Sequence, residues 1–125
     1  MLQNPVGFEE YDFYQDAYSK EFSDLISAFN ASAKPIASIC TGAFPIAKSG
    51  VLAGLRGTTY NLNPVKHNSL RDLGIEVVND PIVVSRNIVT SWNPSTAMDV
   101  AFLLLEKLTS AENAVEVKRL MGFKH

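Results

Sequence analysis

The sequence predicts an α/β domain with a mostly parallel sheet, and three features of the chain predict it. Short apolar runs typical of buried strands alternate with segments whose apolar residues recur at helical spacing. One of these runs, Ile36 to Ile39, leads through Cys40-Thr41-Gly42 straight into an apolar helical segment. The length of 125 residues fits a single domain, 1–125, with one hydrophobic core.

The predicted elements follow one another in a regular order. Phe22, Leu25, Ile26 and Phe29 lie at helical spacing and predict an amphipathic helix from Asp16 to Phe29. Proline and small residues end this helix before the strand that precedes Cys40. The remaining predictions are a helix from Phe44 to about Gly50, a β-prone segment Gly57 to Tyr60, a helix Val65 to Leu73, a strand Ile75 to Val78, a hairpin of Pro81 to Val84 and Ile88 to Ser91, and helices from Thr96 to Leu108 and from Ser110 to Met121.

Composition excludes several classes of function. The chain is 46% hydrophobic and 19% charged, with a formal net charge of -2, so it has no basic excess for binding nucleic acid. It shows no secretory signal and no apolar stretch long enough to cross a membrane, which predicts a cytoplasmic location. The single cysteine excludes an internal disulfide, and no residue cluster suggests a metal or another cofactor.

Cys40 is the residue whose position favours chemistry. It lies where a buried strand ends and a helix begins, which is where open α/β sheets bind ligands. A helix N-terminus stabilises a thiolate, and the amide of Thr41, directly after the nucleophile, is a natural donor to an oxyanion. We expect Gly42 to permit the sharp turn and to leave room beside the sulfur. The alternative is that Cys40 packs as a small apolar residue.

His67 is the residue that could act as a base for Cys40. It is the internal one of the two histidines, and histidine is the usual partner of a nucleophilic cysteine. It lies in the polar stretch Asn63 to Ser69, where a histidine that simply faces solvent is the competing interpretation.

Several motifs together resemble the ThiJ/PfpI superfamily, whose members are related to the class I glutamine amidotransferases. The resemblance covers most of the chain from Gly7 onward and is most specific around the cysteine. The motifs that carry it are Ala37-Ser38-Ile39-Cys40-Thr41-Gly42-Ala43, Lys48-Ser49-Gly50-Val51-Leu52-Ala53-Gly54, Gly57-Thr58-Thr59-Tyr60, Asn87-Ile88-Val89-Thr90-Ser91-Trp92 and Pro94-Ser95-Thr96-Ala97.

The resemblance implies a flavodoxin-like three-layer sandwich in which Cys40 is the reactive residue. Pro5-Val6-Gly7 resembles the family's Pro-Gly-Gly loop, so the amide of Gly7 becomes a second candidate oxyanion donor beside that of Thr41. Many hydrolytic members have a histidine directly after the cysteine, and others have one after the threonine pair, where this chain has Thr41 and Tyr60. The family also begins with strands and an acidic residue that have no counterpart here, which implies a domain incomplete at its N-terminus.

Two functions follow as expectations. The first is an enzyme of the hydrolase, amidase or glyoxalase type that acts on small carbonyl or amide substrates. The alternative is a non-catalytic oligomerising or redox-sensing domain in which Cys40 is oxidised reversibly. A third possibility is an inactive truncated fragment. Because the strand before Cys40 would otherwise expose an unpaired edge, we also expect a homo-oligomer, most simply a dimer.

Overall fold

The computed structural model describes residues 19–123, which form a small α/β domain. The helices are α1 (Lys20–Ala31), α2 (Ala43–Lys48), α3 (Pro64–Asp72), α4 (Ala97–Leu108) and α5 (Ala111–Leu120). The strands are β1 (Ile36–Ala37), β2 (Arg56–Gly57), β3 (Glu76–Val77), β4 (Ile82–Ser85) and β5 (Ile88–Ser91). Two short 3₁₀ helices, Cys40–Gly42 and Pro94–Thr96, precede α2 and α4.

The strands form two small sheets. One has the order β1-β5-β4 and the other pairs β2 with β3. Two of the three strand pairs, β1–β5 and β2–β3, are parallel, whereas β4 and β5 form an antiparallel hairpin. The Ser85 hydroxyl donates to the Arg56 carbonyl at 2.6 Å and links β4 to β2. The predicted alternation of helices and mostly parallel strands is confirmed.

Helix boundaries follow the capping residues. Ser19 accepts from the amide of Phe22 at 3.2 Å and caps α1, which begins at Lys20. The first residues of the predicted helix, 16–18, lie outside the described residues. The Asn93 side chain accepts from the amide of Ser95, and Pro94 lies in the first turn, where proline is tolerated. Ser110 caps α5 in the same way, as predicted.

The hydrophobic core lies between α2, α3 and the two sheets. Leu52 and Leu70 are fully buried. Gly57 fits because a Cβ there would lie 3.2 Å from side-chain atoms of both Leu52 and Ile75, so the core leaves no room for a larger residue. The buried cluster consists of Ala43, Phe44, Ile46, Ala47, Leu52, Leu70, Ile75 and Ile88.

The predicted hairpin of Pro81 to Val84 and Ile88 to Ser91 is present, with its first strand shifted by one residue to Ile82–Ser85. Ile82 pairs with Ser91 and Ser85 pairs with Ile88, so the chain reverses through Arg86 and Asn87. Arg86 has a φ of 57°, the left-handed conformation that tight hairpin turns require. Strand β5 is buried along its whole length, which places it at the centre of its sheet.

Candidate active site

Cys40 occupies a sharp junction between a strand and a helix. Ile39 is extended, with φ and ψ of -124° and 133°, and the 3₁₀ turn Cys40–Gly42 leads into α2. Cys40 itself has a φ of 62°. A side chain in this left-handed region costs roughly 1–2 kcal/mol. The thiol therefore belongs to a strained residue, and Cys40 is 7% exposed.

Hydrogen bonds from neighbouring segments hold the backbone on both sides of Cys40. The amide of Ser38 donates to the Val89 carbonyl at 2.8 Å, which extends the β1–β5 pairing toward the cysteine. The Ser91 hydroxyl donates to the Ser38 carbonyl, and the Thr59 hydroxyl donates to the Cys40 carbonyl, each at 2.9 Å. Surrounding structure of this kind can maintain a strained backbone.

Gly42 follows the residue with the positive φ by two positions. Its own φ of -59° is ordinary helical backbone, so the left-handed conformation at the turn falls on Cys40. The prediction that Gly42 permits the sharp turn stays a prediction. The physical requirement at Gly42 is a close approach, because a Cβ there would lie 3.3 Å from the Cβ of Ser38. Glycine lets the first turn of the helical segment pack against the strand before the cysteine.

Of the two candidate oxyanion donors, Thr41 lies among the described residues and Gly7 does not. Thr41 is half-buried in the turn after Cys40, and its carbonyl accepts from the amide of Ala43. Gly7, with the rest of Pro5-Val6-Gly7, lies outside the described residues. The oxyanion role of both amides stays a prediction.

His67 is linked to Cys40 through Thr59, which forms a hydrogen bond with each of them. It lies on α3, half-buried, with its Nε2 3.2 Å from the carbonyl oxygen of Thr59. A ring nitrogen that faces a carbonyl oxygen must donate, so this nitrogen carries the proton. No hydrogen bond joins the Cys40 thiol to His67 within residues 19–123. The base role of His67 stays a prediction.

Thr59 was not singled out by the sequence, although it touches both Cys40 and His67. It is fully buried, as is Thr58, whose amide donates to the Thr90 hydroxyl at 2.9 Å. The sequence feature that could have indicated Thr59 is a pair of threonines directly after a glycine in a β-prone segment. Two hydroxyl groups in a buried segment generally need hydrogen-bond partners. Only the fold identifies that partner as Cys40.

An apolar groove of about 520 Å³ runs beside the turn that carries Cys40. Its walls come from α1, β1, the segment after β1 and α2. Polar atoms are few along it. The lining residues include Phe22, Leu25, Phe29, Ile36, Ser38 and Ile39.

The ion pairs in the part of the chain that is described lie at its surface. The ion pairs there are Lys20 with Asp24, Arg56 with Glu76 and Arg119 with Glu116, all with exposed side chains. Residues 19–123 contain no group of three or more His, Cys, Asp or Glu side chains that could hold a metal ion. None of the helices described is long and apolar enough to span a membrane.

A half-buried strand, a left-handed cysteine and a helix together define an α/β domain with a cysteine at a sharp turn between strand and helix. The sequence model of the DJ-1/PfpI family matches residues 15–107, and the chain belongs to this family. The resemblance to the ThiJ/PfpI superfamily is thereby confirmed.

Two individual relatives are similar to this chain in sequence. An isonitrile hydratase of Pseudomonas putida is 31% identical over 91 residues, which are 73% of this chain and 39% of that protein. A deglycase of Pyrococcus horikoshii is 39% identical over 62 residues, 50% of this chain and 36% of that protein. The chain thus spans well under half the length of either.

The fold is also shown by a solved structure. The crystal structure of Drosophila melanogaster DJ-1beta superimposes with a TM-score of 0.77 at 28% identity, covering 87% of this chain and 57% of that one. The predicted flavodoxin-like α/β fold is therefore confirmed.

Proposed function

We propose that Cys40 is the nucleophile of a cysteine-dependent enzyme that acts on small carbonyl or amide compounds, of the hydrolase, amidase or glyoxalase type. The observation that carries this proposal is the left-handed φ of 62° at Cys40. Strained backbone of this kind clusters at functional sites. A cysteine that served only as a small apolar residue would gain nothing from such a conformation.

The chemistry is nucleophilic catalysis. The thiolate of Cys40 adds to the carbonyl carbon of the substrate, a C–S bond forms, and the carbonyl π electrons move to oxygen as an oxyanion. The amides of Thr41 and Gly7 are the proposed donors to that oxyanion. With an amide, the C–N bond then breaks and the amine leaves with a proton. Water hydrolyses the resulting thioester and returns the free thiol.

The relatives support an enzymatic role. Two proteins similar to this chain are named isonitrile hydratase and deglycase, and both names denote enzymes. The chain aligns with less than half of the length of each of these proteins.

The deciding experiment compares wild type with Cys40→Ser on a panel of small aldehydes and amides. We expect turnover by the wild type and none by the variant, with both proteins giving the same circular dichroism spectrum. Equal activity of the two proteins on every substrate, together with selective oxidation of Cys40 by peroxide, would instead favour the non-catalytic, redox-sensing alternative.

We further propose His67 as the base that receives the thiol proton. The proposal is supported by the position of His67 on α3, since Thr59 forms hydrogen bonds with both His67 and Cys40. His67→Gln keeps a side-chain amide that can donate to the Thr59 carbonyl but cannot take a proton near neutral pH. A base role predicts a loss of about 100-fold or more in kcat/KM. A change of less than threefold would show that His67 serves only as a hydrogen-bond donor.

We also propose that the protein forms a homodimer that covers the open edge of β1. Among the described strands, β1 pairs only with β5. Phe22, Leu25 and Phe29 on the neighbouring groove are 39–52% exposed, and apolar surface of this kind is typical of interfaces. Light scattering on wild type and Leu25→Glu tests this, since a dimer that uses the groove should become monomeric. A monomeric wild type would overturn the proposed dimer.

We propose in addition that the protein is cytoplasmic, and cell fractionation tests this location.

A further inference from the structure

We infer that Thr59 is a positioning residue for the Thr41 amide. Thr59 holds the carbonyl group of Cys40, which belongs to the same peptide unit as the N–H of Thr41, and thereby aims this N–H at the developing oxyanion. The inference rests on the proposed function of Cys40 as the nucleophile. It goes beyond that function by assigning a role to a residue whose hydrogen bond goes to the backbone of Cys40.

The argument begins with the hydrogen bond. The Oγ1 of Thr59 donates to the carbonyl oxygen of Cys40 at 2.9 Å. Thr59 is fully buried and Cys40 is 7% exposed, so water cannot easily replace this bond. A buried carbonyl that lost its donor would bear the cost of an unsatisfied polar group.

The geometry of the peptide bond extends this effect to Thr41. The carbonyl of Cys40 and the N–H of Thr41 belong to one planar unit, in which the two groups point in opposite directions. Fixing the direction of the carbonyl therefore fixes the direction of the N–H. Because this peptide follows a residue with a φ of 62°, its orientation is not one that the local backbone would favour by itself.

Thr59 is itself held from two sides. Its carbonyl faces Nε2 of His67 at 3.2 Å. The preceding amide, that of Thr58, donates to the Thr90 hydroxyl on β5 at 2.9 Å. A donor with this support can fix a neighbouring peptide instead of following its movements.

The chain offers a matched control in the adjacent residue. Thr58 is also fully buried, but its Oγ1 has no hydrogen-bond partner among residues 19–123. Replacing either threonine by valine exchanges a hydroxyl for a methyl group of similar volume. Only the change at Thr59 removes a bond to the elbow.

The experiment compares two single modifications of Cys40 in the full chain. In acylation by p-nitrophenyl acetate, the thiolate adds to the carbonyl carbon, an oxyanion forms, and p-nitrophenolate leaves. In alkylation by iodoacetamide, the same thiolate displaces iodide and no oxyanion forms. The ratio of the two rate constants therefore isolates stabilisation of the oxyanion, and changes in the exposure of the thiol affect both rates together.

For Thr59→Val we expect the ratio of acylation to alkylation to fall about tenfold, the effect of one net hydrogen bond. Thr58→Val should leave the ratio within twofold of wild type, and Thr59→Ser, which keeps the hydroxyl, should restore it. An unchanged ratio in Thr59→Val would overturn the inference, as would an equal fall in Thr58→Val. If Thr59→Val does not fold, Thr59→Ala and Thr58→Ala make the same comparison.

These results are independent of the test of the proposed function. The ratio is measured on one modification of Cys40 and needs no turnover. If Cys40→Ser keeps full activity while the ratio falls as expected, the proposed function fails and the positioning by Thr59 stands. If Cys40→Ser is inactive while the ratio does not change, the reverse holds.

Discussion

The hydroxyl of Ser91 donates to the carbonyl oxygen of Ser38 at 2.9 Å, two residues before the left-handed Cys40. Ser91 is fully buried at the end of β5. The bond connects segments 53 positions apart in the sequence. Together with the bond from Thr59 to Cys40, it fixes the carbonyl groups on both sides of Ile39.

Ser91→Ala should destabilise the protein because it leaves the Ser38 carbonyl without this donor in a buried position. We expect a loss of about 1–3 kcal/mol in the free energy of unfolding, measured by urea denaturation. Ser38→Ala is the control, since the Ser38 hydroxyl is buried and has no hydrogen-bond partner among the described residues. That change should be neutral or stabilising. Equal losses in both variants would contradict the assignment.

Replacing Cys40 by glycine or by alanine tests the strain at the elbow. Glycine adopts a φ of 62° without steric cost, whereas alanine keeps the Cβ that causes the strain. Both variants lack the thiol, so their difference reports on the backbone. We expect Cys40→Gly to be more stable than Cys40→Ala by about 1 kcal/mol in thermal unfolding. If alanine proved the more stable replacement, Cys40 would not have a left-handed backbone in solution.

Leu52→Ala tests the position of the core. Leu52 is fully buried against Gly57 and the cluster around Leu70, so its truncation should cost about 2–5 kcal/mol. Leu62→Ala removes the same atoms from a residue that is 73% exposed, and it should change stability by less than about 0.5 kcal/mol. Denaturant midpoints of the two variants give the comparison. Similar midpoints would show that the core lies elsewhere.

Glu116 on α5 should titrate at a lower pH than an ordinary glutamate. The Arg119 guanidinium donates to its carboxylate at 2.7 and 3.0 Å and lowers the pKa of Glu116. Because this pKa is lowered in the folded state, the pair stabilises the fold above the ordinary pKa of glutamate and loses that effect as the pH falls through the lowered value. Titration by NMR checks the shift. Arg119→Gln should remove it, and an unchanged midpoint would contradict the ion pair.

Local patterns of residues were sufficient to predict the order of the elements and the position of the cysteine. The apolar run before Cys40 indicated a strand, although β1 has only two residues and is half-buried rather than buried as predicted. The hairpin of β4 and β5 was located to within one residue, and Ser110 correctly marked the start of α5. These features are local. Strand propensity, turn residues and helix caps each depend on a few neighbouring side chains, so a single sequence records them.

The tertiary structure alone decided how the site is built. It placed the left-handed conformation on Cys40, and it brought Thr59 to the Cys40 carbonyl. The two residues are 19 positions apart, and they meet because the chain after β2 passes beside the end of β1. Contacts of this range depend on the order in which strands pack, and no local pattern of residues specifies that order.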